Sequence, residues 1–428
     1  MIKRISATTT TIISLLFGTL VILFAAGALK PPSLKAQNVV TFSMDMRGAM
    51  AQRWLDPQRD LVGVRGSIPP LRWDSTLIAT DPDGDSIYTL TVKITPAGKY
   101  AKLFHTQKLA YKFKVENSAK LNNGWETVQN STLLLTGKPQ TVKRSFNTQS
   151  LAPTPGTRSR NVRLHEHFQP RTLLQRTLSV YLPPGYDKSS QRYPVLYLHD
   201  GQNIFDDSTA ASGEWYADEI ADLLIKSKKL PPCIIVGIST RGEDRINEYT
   251  PVPMRRFDGL GRPDDLGGKG TLHAQMVVEE IKPFIDSTYR TLKDRANTAL
   301  GGSSLGGLMT MYGGMVYPQV FGRLMVMSPS VWWANNWILA AAKQNINDSV
   351  ATSLKAADTR IWLDIGDGEG KESVADARAL KSLLIEKGWK LGTNLFYMEA
   401  KNAAHNEAAW SERFEPALLF LFGNPARK

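Results

Sequence analysis

Residues 299–309 read ALGGSSLGGLM, two serines among four glycines, between an apolar run and a stretch with helical spacing. A serine hydroxyl becomes a useful nucleophile when a sharp strand-to-helix turn lifts it clear of the backbone, a turn so tight that neighbouring positions must lack side chains. Gly302, Ser303, Ser304, Leu305 and Gly306 fit that G-x-S-x-G pattern and make Ser304 the candidate nucleophile. The chemistry would be acyl transfer through a covalent intermediate. A plain glycine-rich loop fits the same five letters, so the rest of the chain must supply a base, an acid and an oxyanion hole.

Histidine is the usual base for a serine at neutral pH. The chain has six, at positions 105, 165, 167, 199, 273 and 405. Triads of α/β hydrolases run Ser, acid, His along the chain, and only His405 follows Ser304. It stands in KNAAHNEAAW, a small-residue loop ahead of the helical WSERFEPALLFLF. The acid should follow a strand between the two, and RIWLDIGDGEGKE offers Asp364, Asp367, Glu369 and Glu372. Asp364 falls within the strand, whereas Asp367 and Glu369 both suit the loop, and either could orient the imidazole. The oxyanion needs two backbone N–H groups: that of the residue after the nucleophile, Leu305, and one from a loop after an earlier strand. YLHDGQNIFDD, residues 197–207, follows a buried-looking strand. The Gln202 amide is the candidate there, with Gly201 as its substitute, and His199 is read as structural.

These groups need a scaffold. Beyond residue 160, continuous apolar runs (YPVLYLHD, PCIIVGIS, RLMVMSPS) alternate with stretches of helical spacing such as EWYADEIADLLIKS and MVVEEIKPFIDSTY. Strands buried on both faces and separated by helices predict an α/β fold with a doubly wound, mostly parallel sheet over 161–425. Residues 38–148 alternate with period two between turn signals, predicting a small all-β sandwich. DPDGDS at 81–86 is one of those turns; its glycine stands at the wrong place for a calcium loop. Residues 149–160, rich in proline, serine and glycine, are read as a linker.

The N-terminus carries Lys3 and Arg4, an apolar run from Ile12 to Leu29 and the small-residue site Ala26-Gly27-Ala28. This predicts a secretory signal over 1–36 and a secreted or periplasmic protein, with an uncleaved anchor as the competing reading. Cys233 is the single cysteine, so no intramolecular disulfide forms, and its apolar run marks it as a core residue. The net charge of +12 is scattered, without a dense basic run, which argues against nucleic-acid binding.

Together YLHDGQNIFDD, GEWYADE, RINEYTPV, GGSSLGGL and AAHNEAAW resemble the Putative esterase (esterase D-like) family of α/β hydrolases. That family includes feruloyl, acetyl-xylan and ferric-enterobactin esterases. The resemblance implies a serine esterase with no cofactor and no metal. In the feruloyl and related esterases the acid ends a G-x-x-[DE] step. Here Gly366, Asp367, Gly368 and Glu369 form that step, which implies Glu369. Trp332 and Trp333 match a position lining the acyl pocket, with core packing as the other reading. VGVRGSIPPLRW, AYKFKV and NGWE, followed by Asn130, resemble a starch-binding sandwich, whose exposed tryptophans stack on sugars; Trp73 and Trp125 are the matching positions.

The expectation is an exported carboxylic-ester hydrolase acting on carbohydrate-linked or other bulky esters. A siderophore lactone esterase, or a non-enzymatic polysaccharide-binding surface protein, are the alternatives.

Overall fold

A computed structural model describes residues 38–94, 107–150, 156–210, 213–240, 244–255, 265–346 and 353–423. The predicted signal over 1–36 lies outside the described residues. Among the described residues, no helix is long and apolar enough to cross a membrane. The described residues form one compact unit.

Among the described residues the N-terminal part has seven strands: β1 (Asn38–Asp45), β2 (Leu61–Gly66), β3 (Leu77–Ile78), β4 (Ile87–Ile94), β5 (Gln107–Glu116), β6 (Ser131–Leu135) and β7 (Gln140–Ser145). They form two sheets, ordered β4-β1-β7 and β3-β2-β5-β6. Period-two alternation turns Val40, Phe42 and Met44 of β1 and Tyr111, Phe113 and Val115 of β5 into one shared core between the sheets. Among the described residues, two short helices, Arg47–Ala51 and Lys120–Gly124, stand between strands. At five residues each they carry no full amphipathic period, so the sequence gives no helical signal for them. In the DPDGDS turn, Asp81 accepts hydrogen bonds from the Gly84 and Ser86 amides at 3.1 and 3.0 Å.

The second part is an eight-stranded sheet of β8 (Val162–Phe168), β9 (Arg176–Tyr181), β10 (Val195–His199), β11 (Ile234–Ile238), β12 (Thr298–Ser303), β13 (Arg323–Met327), β14 (Arg360–Gly366) and β15 (Leu395–Ala400). Its order is β15-β14-β13-β12-β10-β11-β9-β8. β10 to β15 pair in parallel, and β9 and β8 extend the sheet antiparallel. Strands β10, β11 and β12 are buried along their whole length, which explains their unbroken apolar runs. Helices cover both faces: Leu305–Val316 packs on β12 and β13, and Glu407–Phe422 on β13 and β14.

The chain leaves β10 to one side for β11 and returns on the other side as β12. That reversal is the switch point of the sheet, and in open α/β sheets ligand sites form there, beyond the carboxyl ends of the strands.

Candidate active site

Ser304 follows the last residue of β12 and precedes the helix Leu305–Val316. Its backbone, at φ 59° and ψ −123°, lies where side chains other than glycine are strained. Such a conformation holds only if the surroundings enforce it, and the glycines show how. A Cβ on Gly302 would lie 3.0 Å from the Gly306 backbone and from His199 Cβ. One on Gly307 would lie 2.6 Å from the Met327 carbonyl oxygen. Strand, turn and helix are thus packed backbone against backbone.

The next two groups come from neighbouring strand ends. Glu369 lies in a single helical turn after β14, and His405 in the loop between β15 and the last helix. His405 Nε2 is 2.9 Å from Ser304 Oγ, and His405 Nδ1 is 2.6 Å from Glu369 Oε2. Asn406 caps the last helix by accepting from the Ala409 amide, which fixes the loop bearing His405. The other loop carboxylate, Asp367, accepts instead from the Asn402 amide at 2.5 Å and shapes the turn.

Glu369 is held hard. Its side chain is 1% exposed, and its Oε1 accepts from the Gly366 amide at 2.8 Å and from Ser328 Oγ at 2.6 Å. Burial alone would push its pKa up. The bonds from His405, Ser328 and Gly366 outweigh that and hold the carboxyl below its usual range, so it stays ionised.

Ser328 joins this centre to its surroundings. Its Oγ accepts from Trp410 Nε1 at 3.0 Å and from Arg413 Nη2 at 2.7 Å. The Trp410 ring stands edge-on to the His405 ring, with centroids 4.9 Å apart. Arg413 also pairs at 3.0 Å with Asp364, which is fully buried in β14 and whose carboxyl is pushed up by that burial. Sequence reasoning missed Ser328, Trp410 and Arg413. Trp410 and Arg413 stand three residues apart on one helix, a spacing that puts them on one face, but a tryptophan and an arginine at that spacing normally read as packing and solvated charge.

The end of β10 lies against this turn: a Cβ on Gly306 would stand 3.1 Å from His199 Cβ and 3.5 Å from Asp200 Oδ2. Gln202 sits in a short helical turn, Gly201–Asn203, directly after Asp200, whose φ is 58°. Its side-chain carbonyl accepts from the Thr240 amide and its backbone carbonyl from Thr209 Oγ1, so the loop is braced on both sides. A cavity of about 450 Å³ opens beside Gly201 and Gln202, lined also by Arg158, His167, Arg176 and Thr240; it does not include Ser304 or His405. His199 is buried, with Nδ1 3.3 Å from His273 Nε2, and His273 Nδ1 is 3.0 Å from Glu248. Burial holds both imidazoles below their usual pKa range.

The tryptophan pair divides. Trp332 is half exposed, whereas Trp333 is buried and donates from Nε1 to the Val252 carbonyl at 2.8 Å. Trp333 is therefore a core residue rather than a pocket lining, because its indole N–H finds its partner inside the fold. Trp73 and Trp125 lie side by side, ring centroids 6.4 Å apart, with Trp73 39% exposed. Arg65 and Lys114 stand over the Trp125 ring at 5.0 and 5.4 Å.

A family model described as "Putative esterase" matches residues 171–421. The uncharacterized protein YbbA of Bacillus subtilis (strain 168) is 28% identical over 255 residues, covering 58% of this chain and 93% of its own. An endo-1,4-beta-xylanase/feruloyl esterase of Xylanibacter ruminicola is 27% identical over 254 residues, 58% of this chain and 29% of its own. Among solved structures, the enterobactin esterase FES from Shigella flexneri, in the presence of enterobactin, has a TM-score of 0.55 at 16% identity. That likeness of fold covers 84% of this chain and 87% of the other.

Proposed function

Because the chain belongs to the Putative esterase family and is a carboxylic-ester hydrolase, we propose that it works through a Ser304–His405–Glu369 triad and an acyl-enzyme. The observation that carries this reading is the unbroken line from Ser304 Oγ through both nitrogens of His405 to a buried carboxylate. His405 Nε2 takes the Ser304 proton as Oγ attacks the ester carbonyl. The oxyanion forms beside the Leu305 and Gln202 amides. The imidazolium, stabilised by Glu369, returns its proton to the departing alcohol oxygen. Water then repeats the sequence on the acyl-enzyme and frees the acid. Ser304→Ala should lower kcat by at least about 10³-fold with an unchanged melting curve. A fluorophosphonate adduct mapped to Ser303, or an active Ser304→Ala, refutes the assignment.

Bulky esters attached to carbohydrate are the proposed substrates. His405 keeps 45% of its side chain exposed, so the site is open enough for a polymer-borne ester, and a relative is named as a feruloyl esterase. Trp73 and Trp125 would supply a platform for polysaccharide, and the leader over 1–36 would carry the protein out of the cytoplasm. A second reading, hydrolysis of a siderophore lactone, is favoured by the likeness to FES, which extends over 84% of this chain and so beyond the catalytic part. Comparing kcat/KM on acetyl, feruloyl and trilactone esters decides between them, and a preference of tenfold or more for the trilactone would displace the first.

A further inference from the structure

The loop that carries Gln202 ends in a group of buried carboxylates that the ester chemistry does not use. One carboxylate oxygen from each of Glu214, Asp218 and Glu219 lies within 4.8 Å of the others. Glu214 is 2% exposed and Asp218 fully buried. Their outer oxygens are engaged: Glu214 Oε2 accepts from Thr157 Oγ1 at 2.6 Å, and Asp218 Oδ2 from the Ser159 amide at 2.8 Å. Glu214 Oε1 has no hydrogen-bond partner, and the Asp218 and Glu219 carboxyls lie close enough to share a proton, with the Ser159 hydroxyl beside Asp218.

The nearby cations are committed elsewhere. Lys108 Nζ donates to the Asp207 and Ala210 carbonyls, both at 3.2 Å, and Arg158 pairs with Asp206 at 3.5 Å. Among the described residues no arginine or lysine pairs with Glu214, Asp218 or Glu219. Asp207, itself buried with both carboxylate oxygens unpartnered, adds to the negative field. Buried carboxylates in this state are costly unless they take up protons or hold a cation. Protonation supplies one donor per carboxyl, whereas one divalent ion answers all the inward oxygens together. An all-oxygen ligand set suits a hard cation, and Ca²⁺ tolerates an irregular one where Mg²⁺ demands a strict octahedron.

We propose that Glu214, Asp218 and Glu219, with the Ser159 hydroxyl, bind one structural Ca²⁺ ion that steadies the turn Gly201–Asn203. The consequence reaches the active site along a short path. The Trp215 amide donates to the Asn203 carbonyl, and the Ala217 amide to that of Ile204, so the cluster's backbone is laced to the turn holding Gln202. The Trp215 ring packs against Trp410 and Phe414 at 6.4 and 6.0 Å, and Trp410 backs His405. The ion would also tie Thr157 and Ser159, at the end of the segment from the sandwich, to the catalytic part.

The test uses the full chain, stripped with EDTA and dialysed into metal-free buffer. Calorimetric titration with CaCl₂ should give one site, and saturating Ca²⁺ should raise Tm by about 5 °C or more, with Mg²⁺ far weaker. Ester hydrolysis should fall on stripping and return with Ca²⁺. Glu219→Gln, the mildest change because Glu219 is the least buried of the three, should weaken Ca²⁺ binding at least tenfold. Wild type with neither heat of binding nor a Tm shift would overturn the proposal and leave the cluster held by protons. A shift kept in Glu219→Gln but lost in Asp83→Asn would overturn it too, placing the ion at the exposed aspartate turn.

Discussion

Replacing Glu369 by glutamine probes the orientation of the proposed triad with almost no change in shape. Oε1 of Glu369 faces two N–H sources, the Gly366 amide at 2.8 Å and the Arg413 guanidinium at 3.6 Å, and it also accepts from Ser328. A glutamine cannot turn its NH₂ toward those donors, so its carbonyl must take the Oε1 place and its NH₂ must face His405. Nδ1 then has to accept instead of donate. The ring proton moves to Nε2, where it points at Ser304 Oγ and cannot remove a proton from it. A tautomer error of this kind in a Ser-His-Asp triad costs about 10⁴-fold in kcat, or about 5.5 kcal/mol. Asp367→Asn is the control. Asp367 is exposed and bonded only to the Asn402 amide among the described residues, and an asparagine carbonyl can still accept there. It should change the rate by no more than about threefold. Steady-state hydrolysis of a p-nitrophenyl ester, with melting curves to show both variants folded, is the assay. Glu369→Gln retaining a tenth of wild-type kcat, or Asp367→Asn as damaged as Glu369→Gln, refutes the reasoning.

Arg413→Met should destabilise the protein by about 3–5 kcal/mol, because it leaves Asp364, which is fully buried, without its cation; chemical denaturation measures this, and a loss below about 1 kcal/mol contradicts it. His199 and His273 are kept neutral by burial, so their folded pKa lies below the unfolded value of about 6.5. The stability they contribute is full above that pH and is lost as pH falls through it. Against Glu248 and Arg176, which flank His273, the wild-type Tm should fall more steeply from pH 7.5 to 5.5 than that of His273→Gln, and parallel slopes would exclude the histidine. A chain beginning at Gly156 keeps Thr157 and Ser159 as well as the proposed triad, so it should hydrolyse small esters at near full rate; a start at Arg160 should not. If Trp73 and Trp125 bind α-glucan, the shorter chain should also fail to sediment with starch granules, and full-length protein that never sediments would refute that role.

The serine turn, the unique downstream histidine and the strand–helix alternation were legible in the chain because each is a local pattern: three glycines enforce the turn, chain order leaves one base, and apolar runs of strand length have one reading in such a sheet. Spacing left two carboxylates open, Asp367 and Glu369, since both lie on one turn and differ only in which way the backbone aims them. Tertiary packing separates them, sending Asp367 to Asn402 and Glu369 to His405. It also divides Trp332 from Trp333, adjacent residues whose burial depends on the Val252 segment some eighty positions earlier. Ser328, Trp410 and Arg413 come together from the residue after strand β13 and from the last helix, and GEWYADE, which reads as a helix start, turns out to bring three carboxylates together. No local pattern encodes these meetings, because a hydrogen-bonding side chain carries no mark of its partner until the fold sets the distance between them.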